Sequence, residues 1–562
     1  MTKFLLLFLI SVSVYAQTEY PQDYFRSPLD IPIVLSGTFG ELRSSHFHSG
    51  LDIKTKQQEG LRVYAAGEGY VSRIKISHFG YGKALYITHP NGYTTVYGHL
   101  QKLSERLERY IKNCQYDKES FEVEVFPTPD ELPIEKSEIV AYSGNTGGSG
   151  GPHLHFEVRD NAERPLNPML FGITAKDSKA PLVLGVYAYP KDDKAVINGK
   201  NERVPLRLIP KADGSYSVEN ITAYGRIGFG IVSYDRQDYA PNKNGVSNIQ
   251  TFFNGIKSLE IDFKRFSFDE SKHIKRLIDY EYFKTKRSRI QKLFVESNNP
   301  LSLYKDDYDK GYVKIEDSTS SVYRIRIRDF ENNESWVNIP ITGSYQTVQD
   351  KRSSETGNRA LVYSNENTTL SDKDISVSFN KNTVYEDTFI DFRVNSDTLF
   401  LGEDTIPLQK NFYINYDISN YKAEDQDKLF IARLYGNYKK PYYVYTKRKG
   451  NILSAGSNVL GTYALATDTE PPTITPINFT DKKWLSKYRY LKVKIDDDLS
   501  GISKYRATVN GQWILMEYDY KTKTLVHDFN DNIVKSTKNE LKIIVTDNVG
   551  NSSTFEATFF RK

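Results

Sequence analysis

From residue 182 to the C-terminus the chain is written in short stretches that alternate apolar and polar residues, separated by Gly, Pro and Asn. The run "LKVKIDDDLSGISKYRATVNGQWILMEYD", followed by "NELKIIVTDNVGNSSTFEATFF", is the clearest case. A period of two puts every second side chain on one face of a strand, and Gly and Asn at this spacing turn one strand back on the next. Such a chain folds into antiparallel sheets with one buried face. The 41 Tyr and 30 Phe residues agree, because aromatic side chains suit a pleated, half-buried surface. At 562 residues the chain exceeds what one hydrophobic core organises, so several domains are expected. The expected class is mainly β, with a β-rich N-terminal domain followed by several antiparallel β-sandwich domains.

Part of the pattern occurs twice. "NGVSNIQTFFNG", ending at Gly255, matches "SGISKYRATVNG", ending at Gly511. "YRIRIRDFENNES" matches "ELKIIVTDNVGNSS", with Asp329 opposite Asp547 and Asn333 opposite Asn551. Both copies resemble bacterial immunoglobulin-like modules, which puts such sandwiches at 182–343 and 470–562, with a linker and a further β domain at 344–469. The earlier copy is longer. Its extra residues include "DESKHIKRLIDYEYFKTKRSRIQKLF", a basic stretch that reads as a helix. That helix is expected to pack Ile274, Leu277, Ile278 and Phe283 onto the sandwich and leave its charges in solvent. The alternative reading of such charge is a membrane or nucleic-acid contact, or a hold on another anionic polymer.

The first residues, "MTKFLLLFLISVSVYAQ", combine Lys3, an apolar run too short to span a bilayer, and small residues up to Ala16. Residues 1–16 therefore read as a cleaved secretory signal, giving a protein secreted across the inner membrane to the periplasm or cell surface. No later stretch is long and apolar enough to span a membrane, so no transmembrane segment remains after cleavage. The net charge of +4 is small for this length and gives no reason to invoke nucleic acid. The single cysteine, Cys114, forbids an intrachain disulfide and a cysteine-built metal site.

Five of the nine histidines fall in three short, glycine-flanked stretches: "RSSHFHSGLDIKT", "TTVYGHLQKL" and "NTGGSGGPHLHFEVRD". His78, His89, His273 and His527 stand alone and read as ordinary surface or core residues, as does His46. His48 and Asp52 are four apart, but Gly50 between them favours a tight loop over a helix. "HLHFEV" alternates as a strand, so His153 and His155 point to the same side. One imidazole can then bind a metal while its neighbour acts on water or substrate. Imidazole nitrogen and carboxylate oxygen are zinc donors, and a catalytic zinc keeps three protein ligands and one open position.

"HFHSGLD", "YGHL" and "SGNTGGSGGPHLHFEVR" resemble the LytM/lysostaphin-type zinc metallopeptidases, the peptidoglycan endopeptidases. The resemblance covers 31–181 and delimits a peptidase domain of that fold at 17–181. It implies one Zn2+ per chain on His48, Asp52 and His155, with His99 and His153 as the catalytic pair and zinc-activated water attacking an amide carbonyl. With no His-Glu-x-x-His helix, no helix-borne glutamate serves as base, and Glu157 reads as a supporting group. The stretch after His99 is longer than in compact members. Residues 103–112 read as an amphipathic helix and "FPTPDELP" as a loop, together a possible wall of the cleft.

Three functions fit this reading. The first is a secreted zinc endopeptidase that cuts peptidoglycan peptide stems at their cross-links, with the C-terminal β modules free to hold an envelope protein partner. The second is a catalytically inactive peptidase-fold protein that regulates other cell-wall hydrolases. The third is an endopeptidase of non-wall proteins.

Overall fold

Strand β7 (His153–Arg159) has all its residues after His153 buried, and its place in the sheet explains why. It lies between β2 (Leu51–Lys54) and β5 (Thr94–Gly98), both antiparallel to it. The path through the sheet runs from β1 (Leu35–Gly37) through β2, β7 and β5 to β4 (Lys83–Thr88), β3 (Gly69–Ile76) and β6 (Val123–Val125). A central strand covered on both faces has no solvent side, so its apolar residues carry through while the two histidines keep one direction. The computed structural model describes residues 20–346, 359–436 and 439–562. The secretory segment read at 1–16 lies outside the described residues, as does most of the polar stretch that opens 344–469. Strand Arg359–Val362 follows that stretch and pairs with Thr388–Asp391.

The chain is mainly β, with helix confined to short pieces. The longest helix among the described residues, α1 (Glu105–Asp117), begins at Ser104 and carries Glu105 and Glu108 in its first turn, where the helix dipole favours negative charge. Leu107 and Ile111 point into the core and are fully buried, each contributing about 2 kcal/mol. No helix among the described residues is long and apolar enough to cross a membrane.

One hydrophobic core runs without a break from the N-terminal sheet into the region 182–343. Phe39 stacks on Phe266 at 5.0 Å between ring centres, and Phe47 meets the same ring at 5.4 Å. The regions 362–463 and 479–559 have cores of their own, but Trp513 and Leu515 of the last region are buried in the first core. The last region packs a four-stranded against a five-stranded sheet.

The basic stretch is not one helix. It breaks into Phe268–Ser271, Ile274–Leu277 and Tyr280–Lys286, with Ile278 extended. The cause is local: Ser267 makes a capping box with Glu270, and Asp279 accepts from the Tyr282 amide, so a new helix starts inside the segment. Ile274, Leu277, Ile278 and Phe283 are buried as expected, but Lys275, Arg276 and Lys292 are buried too. Arg276 pairs with Glu296 and Glu386, both at 3.1 Å, and Lys292 with Glu296 at 2.6 Å. Arg276, together with Lys275 on the Leu408 carbonyl at 3.1 Å, therefore closes a seam with the region after 359, and Lys292 is neutralised by Glu296 within its own region.

Candidate metal centre and catalytic cleft

The loop before β2 brings His48 under the sheet. A Cβ at Gly50 would stand 2.3 Å from the Phe156 carbonyl oxygen, so this close crossing of β7 requires glycine. Asp52 follows on β2 and pairs in register with His155 on β7. His48 Nε2 lies 3.0 Å from Asp52 Oδ1, His155 Nδ1 lies 2.9 Å from the same oxygen, and the two ring nitrogens are 3.2 Å apart.

The outer atoms of each group settle which nitrogens are bare. His48 Nδ1 is 2.8 Å from the Thr38 carbonyl, which can only accept, so Nδ1 carries the proton and Nε2 offers a lone pair. His155 Nε2 meets Glu157 Oε1 at 2.8 Å, which fixes the proton there and leaves Nδ1 facing Asp52. Glu157 is itself fully buried and paired with Arg159 at 2.7 Å, which with His155 keeps it ionised against burial. Asp52 gives its other oxygen, Oδ2, to Arg43 at 3.2 Å. Tyr81 stacks on the His155 ring at 5.0 Å, with its hydroxyl bonded to Ser49 and Glu157.

These groups favour positive charge between them, either a proton on His155 or a cation that displaces it. Burial would lower the His155 pKa, yet its bonds to Asp52 and Glu157 raise it to about 9. Burial would raise Asp52, yet His48 and the bonds from His153 and His155 hold it well below the usual carboxylate range. A positive charge between these groups satisfies both. Zinc held at about 2.0–2.1 Å in a tetrahedral site sets its ligand atoms about 3.3 Å apart, so the donor triangle of His48, Asp52 and His155 fits that ion.

The other two histidines face this triangle. His153 Nδ1 is tied to the Gly151 carbonyl at 2.8 Å, and its Nε2 lies 3.4 Å from Asp52 Oδ1. His99 Nδ1 is tied to the Thr146 carbonyl at 2.8 Å, and its ring centre is 4.8 Å from that of His153. Burial, then His155 and His153, push His99 down to about 3, so it is neutral at ordinary pH. His48, Asp52, His99, His153 and His155 therefore all come together. The lone histidines stay apart: His89, for one, bonds the Glu68 carbonyl and Thr95 Oγ1.

The glycine-rich loop has two faces. A Cβ at Gly144 would come within 2.3 Å of the Gln101 amide nitrogen, and one at Gly147 within 2.3 Å of that of Gly82, so these glycines let the loop lie directly on the backbones of the segments at Gly80–Gly82 and Leu100–Gln101. At Gly150 and Gly151 a Cβ would meet nothing within 4 Å, so only this end is open. The last region closes over the other side. Tyr520 Oη donates to the Gly147 carbonyl at 3.4 Å, and Lys521 Nζ reaches the carbonyls of Asn145 and Ser149. Tyr520 also meets Phe79 at 4.7 Å. The stretch after His99 forms the platform for this contact: Lys112 pairs with Asp531, and Tyr116 packs edge-on against Trp513 at 5.2 Å. Sequence reasoning missed Tyr81, Thr38, Thr146, Tyr520 and Lys521. Thr146 lies in the glycine-rich motif but acts through its backbone carbonyl, and neither periodicity nor motif marks the others, since each acts through one hydroxyl, carbonyl or amine brought in by tertiary packing.

Comparison with known proteins places the same stretch of chain in a known family. Residues 46–116 match the model of peptidase family M23, and residues 359–468 that of a Zu5-like domain. The DD-carboxypeptidase/endopeptidase Mpg of Neisseria meningitidis serogroup B (strain MC58) is 29% identical over 162 residues, covering 29% of this chain and 28% of its own. An uncharacterized metalloprotease of Haemophilus influenzae is 31% identical over 143 residues, 24% of this chain and 25% of its own. The peptidoglycan DD-endopeptidase ShyC of Vibrio cholerae is 28% identical over 146 residues, 25% of this chain and 27% of its own. The chain thus spans little more than a quarter of the length of the curated relatives it matches. The N-terminal part of this protein is a peptidase family M23 domain, the class that its three motifs resembled.

Proposed function

We propose that the protein is a secreted zinc-dependent endopeptidase that hydrolyses peptide cross-links of peptidoglycan, with one zinc on His48, Asp52 and His155 and with His99 and His153 as catalytic groups. The observation that carries this reading is the meeting of two bare ring nitrogens and Asp52 Oδ1 within 3.2 Å, with the bare Nε2 of His153 facing the same oxygen. When bound, zinc supplies Lewis acidity, polarising a carbonyl and lowering the pKa of water. The chain's own groups do the rest. His153, held by the Gly151 carbonyl, takes the proton of the attacking water on Nε2 and delivers it to the leaving amine. His99, neutral and held by the Thr146 carbonyl, steadies the charge that develops beside His153. An extended peptide lies along the open backbone at Gly150 and Gly151.

The names of the relatives support a bond of the D-alanine–diaminopimelate type, and the N-terminal segment supports export to the periplasm or cell surface. The test is digestion of purified peptidoglycan by the zinc-loaded protein, read by mass spectrometry of the muropeptides. Cross-linked dimers should be converted to monomers. Intact dimers in the presence of fully zinc-loaded protein would sink the proposal and leave an inactive regulator or a protease of other substrates.

A further inference from the structure

A second group of potential ligands lies where the M23 domain joins the region 182–343. Asp177, Asp235 and Asp329 bring carboxylate oxygens within 4.8 Å of one another around a small cavity of about 20 Å³. That is room for about one ion or water molecule and no more. Gln237 lines the same cavity; it is 97% buried, with 3% of its surface exposed, and its Oε1 has no donor. Asp235 Oδ1 is likewise buried and without a partner. A buried acceptor left bare costs about 1–3 kcal/mol, so two of them beside three carboxylates need an explanation.

The internal repeat supplies a control. In the first copy Asn333 clamps Asp329 through its amide at 2.9 Å and its side chain at 2.8 Å, and reaches the Asp177 carbonyl at 3.3 Å. In the last copy Asn551 clamps Asp547 at 2.8 and 2.7 Å and reaches the Asp468 carbonyl at 2.9 Å. Asp497 stands with Asp468 and Asp547 as Asp235 stands with Asp177 and Asp329. The copies differ in the third arm. In the last copy a tight turn gives backbone donors: Gly501 and Leu499 bond Asp497, and Ser500 bonds Asp468. In the first copy the chain from Asp235 to Asn244 is longer and leaves Asp235 Oδ1 and Gln237 Oε1 unanswered.

We propose that Asp177, Asp235 and Asp329, with the amide oxygen of Gln237, bind one calcium ion at this joint. An all-oxygen, irregular donor set suits a large hard cation, whereas magnesium demands a near-ideal octahedron and keeps its water. Left alone, the cluster is under electrostatic load: burial and the neighbouring carboxylates push Asp235 up to about 8. The ion would also fasten a route to the metal centre. Gly245 and Thr38 line the same cavity, the Gly245 amide bonds Thr38 Oγ1 at 3.0 Å, and the Thr38 carbonyl orients His48.

The test is thermal unfolding and calorimetric titration of the full chain, with zinc saturating in every arm. Millimolar calcium should raise the melting temperature, and magnesium should raise it much less. Asp235→Asn and Asp329→Asn should each bind one calcium fewer at saturation and lose the calcium response. Because Asp235 Oδ1 has no donor to lose and Asn keeps the shape, the Asp235→Asn chain should melt no lower than the natural chain in calcium-free buffer, which separates a lost site from a lost fold. Asp329→Asn also breaks the Asn333 clamp and is read by calcium stoichiometry. An unchanged melting temperature with calcium, a full response in the Asp235→Asn chain, or an equal response to magnesium would each overturn the proposal.

Discussion

The two walls of the cleft are built differently. On one side, His48 and Asp52 stand on a core that runs unbroken into the region 182–343, through Phe39, Phe47 and Phe266. On the other, His99 and His153 hang from carbonyls of the glycine-rich loop, and that loop is held over its far side by Tyr520 and Lys521. The side that carries His48 and Asp52 is braced by packed aromatic rings. On the other side, His99 and His153 are each held by a hydrogen bond to a loop carbonyl. The last region behind that loop is anchored by Trp513 and Leu515 in the same core and by Lys83 on Glu517 at 2.8 Å. Close-packed cores resist small displacements, whereas a few polar contacts near solvent open at little cost. The two copies of the repeat thus support opposite walls of one site.

The largest effects should separate the walls. His48→Ala, Asp52→Ala and His155→Ala should each abolish hydrolysis together with stoichiometric zinc, measured by metal analysis on the same preparations. His153→Ala and His99→Ala should keep zinc and lose roughly a hundredfold to ten-thousandfold in turnover, the usual worth of a positioned acid or base. If His153→Ala sheds its metal while His155→Ala retains it, the assignment of the two walls is reversed.

A smaller effect is expected one layer behind the donors. Glu157→Gln leaves His155 Nε2 facing an amide in place of a carboxylate, and zinc affinity should weaken by about 10–100-fold. A chelator competition assay reads this directly, and unchanged affinity would show that Glu157 does not orient the ring. The smallest change should come from the loop wall. Tyr520→Phe with Lys521→Ala should leave zinc content untouched and lower kcat only a few-fold, about 1 kcal/mol for the bonds removed. A loss of zinc in that double variant would mean that the last region braces the donor side as well.

Much of the site was legible before any fold was known. Spacing put His153 and His155 on one face of a strand, and the three motifs pointed to His48, Asp52 and His99 as their companions. Alternation and turn residues declared the β class, and the repeat paired Asp329 with Asp547. These are local properties, carried by a period of two and by the chemistry of individual side chains. The basic stretch at 272–292 misled because its composition is helical while Ser267 and Asp279 cap and restart it, and because Arg276 meets Glu386 only after the regions pack.

What only the tertiary structure decided is which bare atom faces which. His155 opposes Asp52 because β2 and β7 pair in that register. The proton on each ring is set by Thr38, Glu157, Thr146 and Gly151; the last three lie in the glycine–histidine motif itself, and Thr38 is brought in by folding. Lys521 reaches the glycine-rich loop across 372 positions of sequence. Period and motif act over a few residues, whereas such contacts are fixed by how whole sheets pack, so the chain states its donors plainly and leaves their orientation to the fold.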